Sequence, residues 1–203
     1  MTTVFVNYRT SDEETAAALL EHALSERFAS NVFFRASKSI KPGDDFEEEL
    51  LKGVRTSSVL LAVIGSHWLE VRDEHDVRKI NKASDWVRRE IVEAFDLGIR
   101  VVPVLIGETK PLQRDALPAG LERLATCQYV RLRNRDLEAD LDRIAATLTE
   151  LVPELRDARV VPPDAGTVTN NAFGNARVGL QAGNVVGDIN FGDFLTRDEQ
   201  DGR

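Results

Sequence analysis

Val59-Leu60-Leu61-Ala62-Val63-Ile64 is a run of apolar, largely branched residues that stops at Gly65. Its apolar character is continuous rather than alternating, which fits a strand covered on both faces. Outward from it lie runs of the same kind: Val4-Phe5-Val6-Asn7-Tyr8, Val32-Phe33-Phe34, Val101-Val102-Pro103-Val104-Leu105-Ile106 and Tyr129-Val130-Arg131-Leu132. Pro103 counts against a fully central place for the fourth run, because proline gives no N–H to a ladder. Amphipathic stretches alternate with these runs, the order expected of a parallel sheet flanked by helices.

The helical stretches carry their own start and stop signals. Ser11 with Glu14 three residues on reads as a capping box, and Ala16, Leu19, Leu20, Ala23, Leu24 and Phe28 follow at helical spacing. Asp44 or Asp45 caps a second helix with Phe46, Leu50, Leu51 and Val54 on its apolar side. Ser84 or Asp85 starts a third with Val87, Ile91, Ala94 and Phe95 inward, and Gly98 ends it. Asp136 opens the last, through Leu137, Leu141, Ile144, Leu148 and Leu151, closing at Pro153.

Composition narrows the function. The 203 residues suffice for one full domain and an appendage. No apolar run is long enough to cross a bilayer, and the first residues enter a core strand with no basic segment ahead of an apolar one, so the expected location is cytoplasmic. A net charge of −8 with no concentrated basic face argues against nucleic acid as a partner. The single cysteine, Cys127, excludes an internal disulfide framework and reads as a small core residue. His22, His67 and His75 show no ligand spacing, so no metal site is expected.

Three constellations carry candidate chemistry. In Phe5-Val6-Asn7-Tyr8-Arg9-Thr10-Ser11-Asp12 a strand delivers a Tyr-Arg pair to a helix start, where Arg9 beside free amides suits an anion, although a surface Arg and a packed Tyr give the same pattern. Arg35 to Phe46 forms a basic loop and helix start at a strand's carboxyl end, where open parallel sheets bind ligands; the bland alternative is a solvated turn at Pro42-Gly43. In Asp85-Trp86-Val87-Arg88-Arg89-Glu90, Trp86 and Glu90 are i and i+4 on one helix face. An aromatic plane and a carboxylate pointing the same way could hold a nucleoside, the carboxylate stabilising an oxocarbenium-like transition state as a glycosidic bond breaks. A solvated surface glutamate is the plain alternative.

Together, Phe-x-x-Tyr-Arg-x-x-Asp at the first strand, Arg35 through Pro42-Gly43, and Asp-Trp-Val-x-x-Glu-Ile-Val at 85 to 92 resemble a TIR domain over about residues 3 to 150. The resemblance implies an α/β, flavodoxin-like five-stranded parallel sheet. It further implies NAD⁺ as substrate, with no added cofactor or metal, cleaved to nicotinamide and ADP-ribose or a cyclised variant. Glu90 then takes the place of the essential glutamate, and Arg9, Trp86, Arg35 and Phe46 are the candidate substrate contacts. Two positions depart from the family pattern: Asn7 stands where Ser is usual, and Arg35 where many bacterial members have Asp. A non-catalytic adaptor that recruits other TIR proteins, and a module that senses a cyclic ADP-ribose product, are the alternatives.

Beyond this domain, taken as residues 1–155, residues 156–166 form a Pro-containing hinge and the composition changes. From Ala165 to Gly192 the charged residues are Arg177 and Asp188 alone, amid Gly and Asn. Val178, Leu180 and Ala182 alternate, as do Val185, Gly187, Ile189 and Phe191 after the break at Gly183-Asn184. Gly174-Asn175, Gly183-Asn184 and Gly192-Asp193 recur at equal spacing, so similar units can stack. A lone two-stranded unit is marginal in water, and pairing with other chains would let Asn175, Gln181, Asn184 and Asn190 form amide ladders. A disordered extension is the alternative.

Ala176 to Ile189 resembles the bacterial amyloid signalling motifs akin to the RHIM, with Leu180 in place of a Val. That resemblance implies a segment, 167–194, that makes homo-oligomers or filaments and answers to an NLR-like sensor ATPase with a matching motif, followed by a polar end, 195–203. Val178, Leu180, Gln181, Val185, Ile189 and Phe191 are its candidate assembly residues. A peptide spanning Thr167 to Phe194 is expected to form thioflavin-positive fibrils with about 4.7 Å cross-β spacing, and Leu180→Pro to abolish them. A coil-like monomer at high concentration, with or without partner seeds, would count against it.

Overall fold

The computed structural model describes residues 4–28 and 32–159. The expected assembly residues Val178, Leu180, Gln181, Val185, Ile189 and Phe191, and the hinge from residue 160 on, lie outside them. Five strands form one sheet: β1 (Val4–Asn7), β2 (Phe33–Phe34), β3 (Val59–Ile64), β4 (Arg100–Ile106) and β5 (Val130–Leu132). Their order is β2-β1-β3-β4-β5, and every pairing is parallel. Helices α1 (Thr10–Phe28), α2 (Ala36–Ser39), α3 (Phe46–Arg55), α4 (Trp86–Asp96) and α5 (Leu137–Leu151) complete the framework.

The continuous apolar run of β3 has the expected cause. Val59, Leu61 and Val63 point into a core closed by Leu20 and Leu24 of α1 and Ile144 and Leu148 of α5. Leu60, Ala62 and Ile64 point into a second core with Leu50 and Val54 of α3 and Ile91 and Ala94 of α4. Pro103 does lie in an interior strand. β5 joins β4 only from Val104 onward, so at Pro103 the side of the strand away from β3 has no ladder for a missing N–H to break.

Helix boundaries follow local hydrogen bonding. Asp45 caps α3, accepting from Glu48 N at 3.0 Å, and Asp85 caps α4, accepting from Arg88 N at 3.0 Å. Gly98, at φ +72°, turns the chain out of α4. The first helix departs from expectation: it starts at Thr10, so Ser11 lies inside the first turn, and Glu13 breaks the ladder at φ −132°, ψ 44°. The cause lies in Asp12, which the kink frees to accept from Gly65 N at 2.8 Å and His67 N at 3.0 Å. The loop after β3 is thereby tied to the first turn of α1. The basic loop also contains an unforeseen turn of helix, α2, closed by Ile40 N donating to Ala36 O at 3.2 Å. Cys127 is half-buried at the end of a 3-10 turn, ahead of β5, where it packs against the edge of the second core.

Gly53 allows α3 to sit close to the sheet. A Cβ there would lie 2.7 Å from the Phe34 ring, which is stacked 5.2 Å from the ring of fully buried Phe5. Gly53→Ala should therefore lose stability by about 1–3 kcal/mol despite alanine's better helix propensity. A lower urea midpoint would show this, whereas a raised midpoint would mean that Phe34 can give way.

Candidate functional site

Chain direction changes sides at β1, with β2 on one flank and β3 on the other, and ligands of open parallel sheets sit at the carboxyl ends of strands flanking such a switch. A cleft of about 630 Å³ opens there, within the usual range for small-molecule sites. Tyr8 and Arg9 come from the end of β1, Phe46 from the start of α3, and Trp86, Val87 and Glu90 from α4. Asp73, Lys79, Lys82 and Asp85 come from the long β3–α4 loop.

Glu90 lies at the bottom, 7% exposed. Asn7, the fully buried last residue of β1, donates Nδ2 to Glu90 Oε2 at 2.6 Å and to Val87 O at 3.2 Å. One amide thus holds both the carboxyl group and the first turn of α4. Burial pushes the Glu90 carboxyl up to about 8, and the nearby Asp85 carboxylate adds to this, against the opposing pull of the Asn7 hydrogen bond and the Arg9 charge. A surface glutamate would do none of this; in Glu90 the tertiary structure produces a carboxyl group whose ionisation burial opposes and which opens into a cleft.

Trp86 forms the wall above it. Phe46, half exposed, meets the indole edge-on with ring centroids 5.7 Å apart, and the Arg89 guanidinium lies 4.1 Å over the ring. Arg89 is itself held by Glu47 at 2.5 Å, so the indole is braced from α3 as well as from its own helix.

The two expected arginines are placed differently. Arg9 reaches the cleft but already has an anion: Nη1 and Nη2 donate to the two Asp85 oxygens, both at 2.9 Å, with both side chains under a tenth exposed. Its Nε is buried without a hydrogen-bond partner among the described residues. Arg35 does not line the cleft. Its Nε lies 3.4 Å from Glu21 Oε2, and Lys38 donates to the other oxygen at 2.5 Å. Burial raises the Glu21 carboxyl, but Lys38 and Arg35 outweigh that and hold it below the usual carboxylate range. Arg35 and Lys38 of the basic loop thus meet the acid of α1, while Ala36 and Phe46 line the cleft.

Asp73, Lys79 and Lys82 are cleft residues that the sequence motifs did not mark, and Asn7, buried beneath the cleft, was not among the expected site residues. Asp85 opens the motif at 85 to 92 and was read as a possible helix cap, with no sign of its pairing to Arg9, and Asn7 appeared as a departure from a family pattern. The lysines have no local signal at all, since the fold alone brings the β3–α4 loop over the end of β1.

The fold is that of a TIR domain, and the chain belongs to the TIR domain family, whose pattern it matches over residues 4–145. Its fold is shared with the TIR domains of the activated Roq1 resistosome that recognises the pathogen effector XopQ, at 20% identity and a TM-score of 0.53, covering 73% of this chain and 99% of that one. A looser likeness joins it to the TIR domain of the Toll-related receptor TRR-2 from Hydra magnipapillata, at 14% identity, a TM-score of 0.46 and coverage of 74% and 98%. The TIR-STING receptor from C. gigas, in complex with 2′,3′-cGAMP, is similar at 18% identity and a TM-score of 0.43, over 70% of this chain and 39% of that one. Among the described residues no helix is long and apolar enough to cross a membrane.

Raising a buried carboxyl makes stability depend on pH in a fixed direction. Below pH 4.5 Glu90 is neutral in both folded and unfolded chains; between about 4.5 and 8 only the unfolded chain ionises, so the group's contribution is lost as pH rises through that window. Glu90→Gln removes this loss. Its urea midpoint should match wild type near pH 4.5 and exceed it by pH 8.5, by on the order of a few kcal/mol in stability at roughly 1.4 kcal/mol per pH unit. A constant difference across the range would contradict the buried neutral acid.

Proposed function

We propose that this protein is a TIR effector that cleaves the nicotinamide–ribose bond of NAD⁺ in the cleft between β1 and α4. The observation that carries the reading is Glu90: a buried carboxyl group, held by Asn7 and opening beneath the Trp86 wall. An acid of this kind has little structural use, since its burial opposes ionisation and it neutralises no buried cation of its own.

In this reading the nicotinamide ring packs against Trp86 and Phe46, which sets the scissile bond over Glu90. The substrate's pyridinium charge favours the ionised form, so Glu90 gives up its proton as the cation enters. When the C–N bond breaks, the electron pair leaves with nicotinamide and the ribose carbon becomes an oxocarbenium centre, which the carboxylate faces across a site of low dielectric. Water then adds to that carbon and releases a proton, giving ADP-ribose; attack by a substrate nitrogen instead gives a cyclic product.

Clustering is the proposed switch, in a setting of bacterial immune or cell-death signalling. The segment 167–194 would join copies into a filament, templated by an NLR-like sensor ATPase that bears a matching motif. Domains held this way reach effective concentrations of roughly millimolar order, enough to populate weak TIR–TIR contacts.

Nicotinamide release by assembled full-length protein tests the reading. Glu90→Ala should lower it at least a hundredfold, and truncation near Pro162 should lower it for want of clustering. The kcat/KM of wild type should rise with pH to a plateau above about 8, as free Glu90 ionises. Equal turnover in wild type and Glu90→Ala would refute the role of Glu90. No turnover by assembled wild type at any NAD⁺ concentration would leave the adaptor reading in its place.

A further inference from the structure

The β3–α4 loop is long but tightly organised where it crosses the cleft. An antiparallel bridge joins Arg72 to Arg78, Asp73 N donates to Val77 O at 3.0 Å, and the Asp73 carboxylate accepts from His75 N at 2.9 Å and Val77 N at 3.0 Å. Lys79 N then donates to Val71 O at 2.9 Å, and a single 3-10 turn, Lys79–Asn81, follows. Ile80 inside that turn is fully buried in the core shared with α4. Lys82 N closes the turn on Lys79 O at 2.9 Å, and Asp85 N donates to Lys82 O at 3.1 Å as the chain enters α4. At the loop's start, Asp12 fixes Gly65 and His67. The loop therefore has little freedom to carry its lysines away.

Lys79 and Lys82 flank the Ile80 anchor, and both line the cleft. Lys82 is paired with Asp73, itself a cleft residue. Lys79 is half-buried and, among the described residues, has no carboxylate within ion-pair distance. The cleft's third cation, Arg9, is matched by Asp85, and its buried Nε has no hydrogen-bond partner among the described residues. Two acids, Asp73 and Asp85, thus face three cations, and the remaining acid, Glu90, is deep, where burial opposes its ionisation. A donor-rich mouth with an unmatched ammonium group lies next to an aromatic wall, an arrangement suited to a ligand that joins a flat ring to a compact polyanion.

We infer that Lys79 and Lys82 form an anion grip that takes the diphosphate of a nucleotide ligand while its flat base or pyridine ring packs at Trp86. Lys79 supplies the free charge, and Lys82 is shared between Asp73 and the ligand. Lys79 and Lys82 are thereby specificity-determining residues, selecting diphosphate-bearing ligands over nucleosides. The inference rests on the NAD⁺ reading above for its site and extends it to residues outside the family's motifs.

The test is binding by full-length protein, followed by tryptophan fluorescence and calorimetry. ADP-ribose should bind wild type, and Lys79→Ala/Lys82→Ala should weaken it at least tenfold, with Lys79→Arg retaining affinity within a fewfold. Nicotinamide riboside, which lacks the diphosphate, should bind both proteins equally. Unchanged thermal unfolding would confirm that the two half-buried lysines are not needed for the fold. Failure of wild type to bind ADP-ribose, or equal affinity in the double variant, overturns the grip. The two proposals fail separately. Lost ADP-ribose affinity in the variant without NAD⁺ consumption by wild type keeps the grip and sinks cleavage, whereas NAD⁺ consumption with a KM untouched by the variant sinks the grip alone.

Discussion

The carboxylate of Asp85 ties the site together. One oxygen accepts from Arg88 N and so starts α4; the same oxygen and its partner accept the two terminal nitrogens of Arg9, at the end of β1. A helix cap is thereby also one half of a buried, bidentate ion pair that crosses from the sheet to the helix. Breaking such a pair from one side costs about 3–5 kcal/mol, because the remaining charge is left in a poor environment. The angle at which α4 meets β1 is fixed by that cost, and Trp86 and Glu90 ride on α4. Asn7 reinforces the same joint one residue deeper, through Val87 O and Glu90.

This joint also accounts for the electrostatics. Arg9 lies close enough to Glu90 to favour its ionisation, but Asp85 lies close enough to oppose it, and burial exceeds both. Had Arg9 been unpaired, Glu90 would have a strong local counter-charge. As built, the buried acid is supported by the Asn7 amide and by an Arg9 charge that Asp85 offsets, which leaves it sensitive to whatever charge enters the cleft. A cationic ring is the kind of ligand that would change its state.

The cleft depends equally on the kink at Glu13. By stepping out of the helix there, the chain lets the Asp12 carboxylate hold Gly65 and His67, and the approach is so close that a Cβ on Gly65 would lie 2.6 Å from Asp12 Oδ2 and 2.3 Å from Glu13 Cγ. The loop after β3 is thus drawn toward the end of β1. From that start it crosses the cleft and, anchored by Ile80, presents its two lysines.

The sequence by itself determined the layered fold. Runs such as Val59–Ile64 are apolar at every position, and only a strand with a helix layer on each face can bury them, so the five-stranded parallel sheet was legible without coordinates. Trp86 and Glu90 were legible as neighbours because helical spacing is a local property. The partners of those residues were not legible. That Arg9 would meet Asp85, Arg35 would turn to Glu21, and Lys79 and Lys82 would line the cleft depends on contacts between segments far apart in the chain. The same holds for the protonation of Glu90: its type and spacing are written in the sequence, but its burial, and hence its charge, arises only when β1 and α4 pack against each other.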